Sequence, residues 1–302
     1  MKFSVFSDLH HYPGVFMGGT YEDLACIEER ALAENCSFVI HAGDFSHGPS
    51  HIPEYLNRYN SFRIPVYHCL GNHDTDSTTY EETLKLYHMP DGHYYFDNGG
   101  YRFIVCDPNY YCLDGIYTHY DMGNYYKHGS ARDFMPPEQL AWLRDTIETA
   151  EGPCILISHE SFERPDGVQN REEVLRIIRE ANGKKPNSVI LCINGHHHLD
   201  FIRILDNVWY FDLNSASFDW VSKKHDCYPK DLCEEYKLLS NTVVYNDPIH
   251  AVITLEGTAI TIEGMESSMF MGINREHTDN PIYDGAGRPV VPMVQSAKIT
   301  LG

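Results

Sequence analysis

Short apolar runs that end in glycine or polar residues recur along the first two thirds of the chain. They fall at 2–7, 38–41, 65–70, 102–106, 154–157, 188–193 and 208–213, and each has strand length and β-forming residues. Longer stretches between them carry helix signals. A helix over 21–35 is predicted behind Thr20, an N-cap candidate, with acidic residues in its first turn. A second, over 137–150, opens on Pro137, and a third, over 170–182, runs from an Asn170 cap to a Gly183 stop. Alternating strands and helices imply an α/β architecture with a largely parallel sheet early in the chain. Residues 250–255 and 259–262 flank Glu256-Gly257-Thr258 and read as a hairpin. The chain is then polar and Pro/Gly-rich from about residue 274, so residues 266–302 are expected to form an irregular arm beyond a 1–265 domain.

Composition narrows the classes. The 302 residues carry 43 acidic and 23 basic side chains, a formal net charge of −20. Such a chain is a poor partner for long nucleic acid or an anionic membrane, which need a basic face. Small anionic substrates stay open, because bound cations invert a local field. No apolar run approaches the roughly 18 residues of a membrane span. The nine cysteines are scattered without a CxxC pair, which argues against a disulfide framework or a zinc ribbon. The first ten residues are too short for a secretory leader, so the expected location is cytoplasmic.

Five short motifs follow predicted strands: Asp8-Leu9-His10, Gly43-Asp44, Gly71-Asn72-His73-Asp74, Ser158-His159 and Gly195-His196-His197-His198. Strand C-terminal ends are where open α/β sheets place their sites. Each motif supplies carboxylate, imidazole or amide oxygen. In extended backbone, residues i and i+2 face one side, so Asp8 with His10, and His196 with His198, are each expected to converge on one point. His197 would face away. Taken singly, each motif reads as a turn or a hydrogen-bonded core residue; five in a strand-by-strand series do not.

The ordered series DxH, GD, GNHD, H, GHxH resembles the calcineurin-like metallophosphoesterase superfamily over roughly residues 1–213. The segment 94–107 is also similar to a strand pair common after GNHD in that superfamily. The resemblance implies an α/β fold, a four-layer α/β/β/α sandwich with two facing mixed sheets and a dimetal site at the strand C-terminal ends. It implies that Asp8, His10, Asp44 and His198 hold one metal, and that Asp44 bridges to a second held by Asn72, His159 and His196. Carboxylates mixed with imidazoles, without thiolate, favour Mn, Fe or Zn over Mg or Ca alone. Two such ions clamp a phosphoryl group and acidify a bridging water. His73 is the family's candidate proton donor, and Asp74 is expected to orient it unless it caps the following turn. Many relatives carry an acidic residue about three positions after GD, where this chain has His47, which reads either as a surface loop residue or as a substrate contact.

The protein phosphatases usually continue GD with an acidic-Arg-Gly segment and place Glu after GNH. Here Phe45-Ser46-His47-Gly48 and Asp74 stand instead, so the chain looks more like the cyclic-nucleotide and small-phosphodiester branch. A phosphomonoesterase or nucleotide pyrophosphate hydrolase is the alternative, and a scaffold of the same fold a further one. Other enzyme classes find no GxSxG elbow and no P-loop. The expected partner is a small phosphorylated substrate, and a homo-oligomer stays open. The segment 108–134 is long for a loop and holds six tyrosines between Tyr110 and Tyr126. It reads either as a lid offering Tyr110 and Tyr111 to a flat substrate group or as rings packing the loop onto the body. Lys223, Lys224 and Lys230 form a local basic island that is either a binding feature or a solvated face.

Overall fold

A computed structural model describes residues 1–221, 224–274, 277 and 291–301. Two six-stranded mixed sheets face one another. The first orders its strands Ala297–Thr300, Ala259–Glu263, Ala251–Glu256, Lys2–Phe6, Val39–Ala42 and Val66–Cys69; the last three are mutually parallel. The second orders Phe201–Leu205, Val208–Asp212, Val189–Asn194, Cys154–Ile157, Tyr101–Val105 and Tyr94–Asn98, and its four central strands are parallel.

Strand alternation builds the layers. Phe3 and Val5 point between the sheets and meet Phe103, Val105, Ile155 and Ile157 of the other sheet. Phe6 and Val39 face outward onto helices Tyr21–Ala33 and Pro53–Asn60 through Leu24, Ile27, Tyr55 and Tyr59. On the opposite outer face, Ile104, Leu156 and Cys192 meet Leu143 and Ile147 of helix Pro137–Glu148 and Val174 and Ile178 of helix Arg171–Lys184. The result is the four-layer α/β/β/α sandwich. Truncating a phenylalanine of the middle layer to alanine costs about 3–5 kcal/mol in such a core.

Local signals held in most places. Thr20 caps the first helix in a reciprocal box with Asp23: the Asp23 amide donates to the Thr20 hydroxyl (3.1 Å) and the Thr20 amide to the Asp23 carboxylate (2.6 Å). Asn170, by contrast, makes no side-chain cap. Its amide clips the backbone of Met135 instead, and the helix runs through Gly183 to Lys184.

The chain's end departs from the expected irregular arm. Ala297–Thr300 pairs antiparallel with Ala259–Glu263 as the edge strand of the first sheet, and Ile299 and Leu301 are buried between the sheets. The alternation Ala-Lys-Ile-Thr was the available signal, and burial of Ile299 and Leu301 is what the edge gains. Residues 278–290, including Gly285-Ala286-Gly287, and Lys223 of the basic island lie outside the described residues. The 108–134 segment is not a plain loop either: Tyr110–Leu113 and Ile116–His119 pair as a small hairpin, and Asn124–Lys127 forms a 3₁₀ turn. Among the described residues no helix is long and apolar enough to cross a membrane.

Candidate metal centre

All five motifs emerge from the C-terminal ends of parallel strands, at one edge of the sandwich. The first sheet delivers Asp8, His10, Asp44 and Asn72; the second delivers His159, His196 and His198. Backbone hydrogen bonds lock neighbouring loops together: Asp8 N to Gly43 O, His10 N to Asp44 O, and Gly195 N to His159 O, each 3.0 Å.

The backbone at these residues is unusual. Asp8, His10, Asp44, His196 and His198 all have φ between 50° and 69°, in the left-handed region that non-glycine residues avoid. Each costs on the order of 1 kcal/mol or more, and such strain persists where the surroundings impose it. Two glycines make the approach physically feasible. A Cβ on Gly43, itself at φ +96°, would lie 2.3 Å from the His159 ring, and one on Gly195 would lie 2.4 Å from the Asp8 carboxylate.

The side chains gather into two adjoining groups, Asp8 with His10 and His198, and Asp44 with His159 and His196, each with its donor atoms within 4.8 Å of one another. Asp44 Oδ2 lies 3.0 Å from His159 Nε2 and 3.7 Å from His10 Nε2, so it stands between the groups. Asp8 Oδ1 is 3.4 Å from His198 Nε2 and 3.7 Å from His10 Nε2. The triple histidine behaves differently from the extended reading. Left-handed backbone at His196 and His198 sends the two rings to different groups rather than to one point. His197 does turn away, toward Asp166.

The donor set fits metal ions. His159 Nδ1 is held by the Ala42 carbonyl (2.8 Å) and His198 Nδ1 by the Phe218 carbonyl (3.0 Å), which presents both Nε2 lone pairs to the cluster. Asn72 Oδ1 is buried without a hydrogen-bond partner, and the buried His159 Nε2 faces the carboxylates of Asp44 (3.0 Å) and Asp8 (3.8 Å). Burial works against ionisation of Asp8, but the imidazoles of His159 and His198 overcome it and hold the carboxyl well below its ordinary range. Burial likewise disfavours a charged His159, yet Asp44 and Asp8 raise its pKa well above normal. An anionic pocket that recruits protons in this way recruits cations too.

His73 stands beside this cluster, its ring centroid 5.4 Å from that of His10. Asp74 does not orient it. The Asp74 carboxylate accepts from the amides of Asp44 (3.0 Å), Ser46 (3.0 Å) and Gly71 (2.9 Å) and from the Tyr87 hydroxyl (2.7 Å), pinning the loops that carry the site. Burial and the charge of Asp44 raise its pKa to about 7. The group that reaches His73 Nδ1 is Asp76, at 2.7 Å. Residues Asn72–Thr75 form a 3₁₀ turn, in which i and i+3 eclipse; this places Asp76, not Asp74, with His73.

His47 is neither at the surface nor at the rim. It is buried against Phe16 and Tyr12, with Nε2 3.0 Å from His10 Nδ1 and Nδ1 2.9 Å from Asp76 Oδ2. Tyr110 and Tyr111 do not reach the cluster: Tyr110 packs edge-on to His119 and Tyr111 stacks on His128. Tyr125 and Tyr126 do. Tyr125 accepts from Asn72 Nδ2 (3.2 Å) and donates to Asp76 Oδ1 (2.7 Å), and Tyr126 donates to Asp76 Oδ2 (2.9 Å).

A four-layer sandwich with an imidazole–carboxylate cluster at its strand ends has the build of a dinuclear metalloprotein. The chain belongs to the calcineurin-like phosphoesterase family, whose model matches residues 1–200. No curated protein matches the sequence significantly. Among solved structures, a dimetal phosphatase from Danio rerio aligns with a TM-score of 0.61 at 14% identity, over 89% of this chain and 98% of that one. GAP50, the anchor in the inner membrane complex of Plasmodium, aligns with a TM-score of 0.56 at 14% identity, over 100% of this chain and 89% of that one. At these identities the likeness is one of fold.

Proposed function

We propose that this protein is a metal-dependent phosphoesterase that hydrolyses a small phosphodiester or nucleotide, with His73 as general acid. The observation that carries the reading is the convergence of Asp8, His10 and His198, and of Asp44, His159 and His196, in two adjoining groups, five of these six residues on left-handed backbone, with His73 at their edge. Those six residues and Asn72 would hold two ions, and the donor set suits Mn, Fe or Zn. The chemistry that two bound ions supply is Lewis-acid polarisation of the phosphoryl group and acidification of water.

The chain's own residues do the rest. Burial lowers the affinity of His73 for a proton, but Asp44 and Asp76 outweigh it and raise its pKa above the ordinary histidine value. A protonated His73 is suited to protonate a departing alkoxide. Its partly exposed ring leaves room for a leaving group, and the ring of Tyr126, 58% exposed, has its centroid 6.3 Å from that of His73.

The test compares an alkyl phosphodiester, an aryl phosphodiester and the matching aryl monoester on Mn- or Fe/Zn-loaded protein and on His73→Ala. Metal-dependent diester cleavage is expected, with the variant losing about 10²-fold or more on the alkyl substrate and far less on the activated aryl one. Preference for the monoester would replace this reading with a phosphomonoesterase. Two bound ions without turnover on any of the three would reject it.

A further inference from the structure

Asp76 is an acceptor hub. Its Oδ2 lies 2.7 Å from His73 Nδ1, 2.9 Å from His47 Nδ1 and 2.9 Å from the Tyr126 hydroxyl, and its Oδ1 lies 2.7 Å from the Tyr125 hydroxyl. An ionised carboxylate only accepts, so all four partners donate. His73 and His47 therefore carry their protons on Nδ1. His47 Nε2 is then an acceptor for His10 Nδ1–H, which leaves His10 Nε2 free to face the metal cluster. For His73, the same bond leaves Nε2 as the atom that handles the transferred proton.

Two of the four donors belong to the 108–134 segment. Tyr125 is fully buried, Tyr126 is mostly exposed, and the Gly123 amide donates to Thr75 O (3.0 Å), one residue before Asp76. The turn that presents the proton donor and the turn that presents the tyrosines are thus joined at one carboxylate.

We propose that Asp76 is the positioning residue for His73, and that Tyr125 and Tyr126 seat the 108–134 segment on the same carboxylate, so that seating of the segment and orientation of the proton donor are set together. This rests on the reading of His73 as general acid. Asp76 acts through His73 and meets no reacting atom itself. The aromatic segment is consequently part of the proton-delivery apparatus.

The experiment uses the full chain as Asp76→Asn, Asp76→Glu and Tyr126→Phe. The first readout is kcat on alkyl and aryl phosphodiesters with the metal content of each sample measured. The second is the rate of tryptic cleavage after the exposed Lys127 in metal-free protein. Asp76→Asn is expected to lose about 10²-fold in kcat on the alkyl diester and less than about threefold on the aryl diester, with two metals retained and KM unchanged. Asp76→Glu should recover part of the alkyl rate. Cleavage after Lys127 should accelerate severalfold in Asp76→Asn and in Tyr126→Phe. Equal losses on both substrates, or none, would overturn the positioning role. Unchanged cleavage in both variants would overturn the seating. Wild-type protein inert on both diesters would sink the general-acid reading and the positioning role with it, while the cleavage rates would still decide the seating.

Discussion

Two histidine-rich regions, one inside the first sheet and one past the strand ends of both sheets, are built on opposite principles. Within strands Val39–Ala42 and Val66–Cys69, His41 and His68 are fully buried, and every ring nitrogen has a partner. The Gly43 amide donates to His41 Nδ1 (3.2 Å), His41 Nε2 meets His68 Nδ1 (2.7 Å), and His68 Nε2 meets Asn60 Oδ1 (2.9 Å). Their backbone is ordinary strand. A few ångströms along, past the strand ends, the backbone of His10, His196 and His198 is left-handed, and nitrogens face nitrogens: His10 Nε2 and His198 Nε2 are 3.3 Å apart. A satisfied histidine stabilises a fold. A histidine held in strained backbone with its lone pair aimed at another has been placed there for something the fold does not need.

The sharpest way to break that contrast is Asp44→Asn. It weakens the group that stands between the two clusters while keeping the shape. The loaded variant should lose about 10³-fold in kcat and at least one metal per chain, measured by elemental analysis. In the metal-free protein the same change should destabilise by about 1 kcal/mol or more in urea unfolding, because His159 holds Asp44 ionised and loses its nearest carboxylate. A variant that keeps two metals per chain and wild-type kcat while losing stability would put Asp44 in the structural class with His41.

The counterpart is His68→Ala. It strands His41 Nε2 and Asn60 Oδ1 and opens a cavity against Tyr87, whose ring stacks on His68 at 4.2 Å. The expected cost is about 3 kcal/mol of unfolding free energy. Metal content should stay at two per chain, and kcat should stay within about twofold of wild type. A large loss of kcat at full metal occupancy would show that the strand interior and the site are not independent.

What was legible in the sequence divides along the same line. Asp8, Asp44, Asn72 and the four candidate-ligand histidines stand in short motifs directly after apolar runs, so local pattern and strand polarity were enough to group them. His41 and His68 lie inside the runs 38–41 and 65–70, where packing and local hydrogen bonding are the ordinary expectation for a histidine. Asp76 and His47 were not legible. Their role depends on a 3₁₀ turn that eclipses His73 with Asp76, and on two loops brought together from separate strands; neither leaves a periodic trace. Tyr125 and Tyr126 were hidden among six similar tyrosines, since only the hairpin at 110–119 decides which rings turn toward the site. The final strand was missed because four residues carry too little alternation to stand out after a polar stretch.

The smallest expected effect is one of sign. Burial, reinforced by His41, holds the pKa of His68 well below the ordinary 6.5, whereas Asp44 and Asp8 hold that of His159 well above it. A depressed histidine binds its proton more weakly folded than unfolded, so its contribution is present above pH 6.5 and drains away as pH falls below that value. A raised one contributes fully below pH 6.5 and loses its contribution as pH rises toward its folded pKa. In metal-free protein, the cost of His68→Gln should therefore shrink by about 1 kcal/mol between pH 7.5 and 5.5, while the cost of His159→Gln should grow by a similar amount. Urea unfolding of the two variants and wild type at both pH values measures this. Equal slopes would mean that His159 is as neutral as His68 in the metal-free protein, and that the pocket does not collect positive charge on its own. Opposite slopes would show the carboxylates already drawing protons into the place where the ions are to bind, which is the electrostatic form of the difference between the two regions.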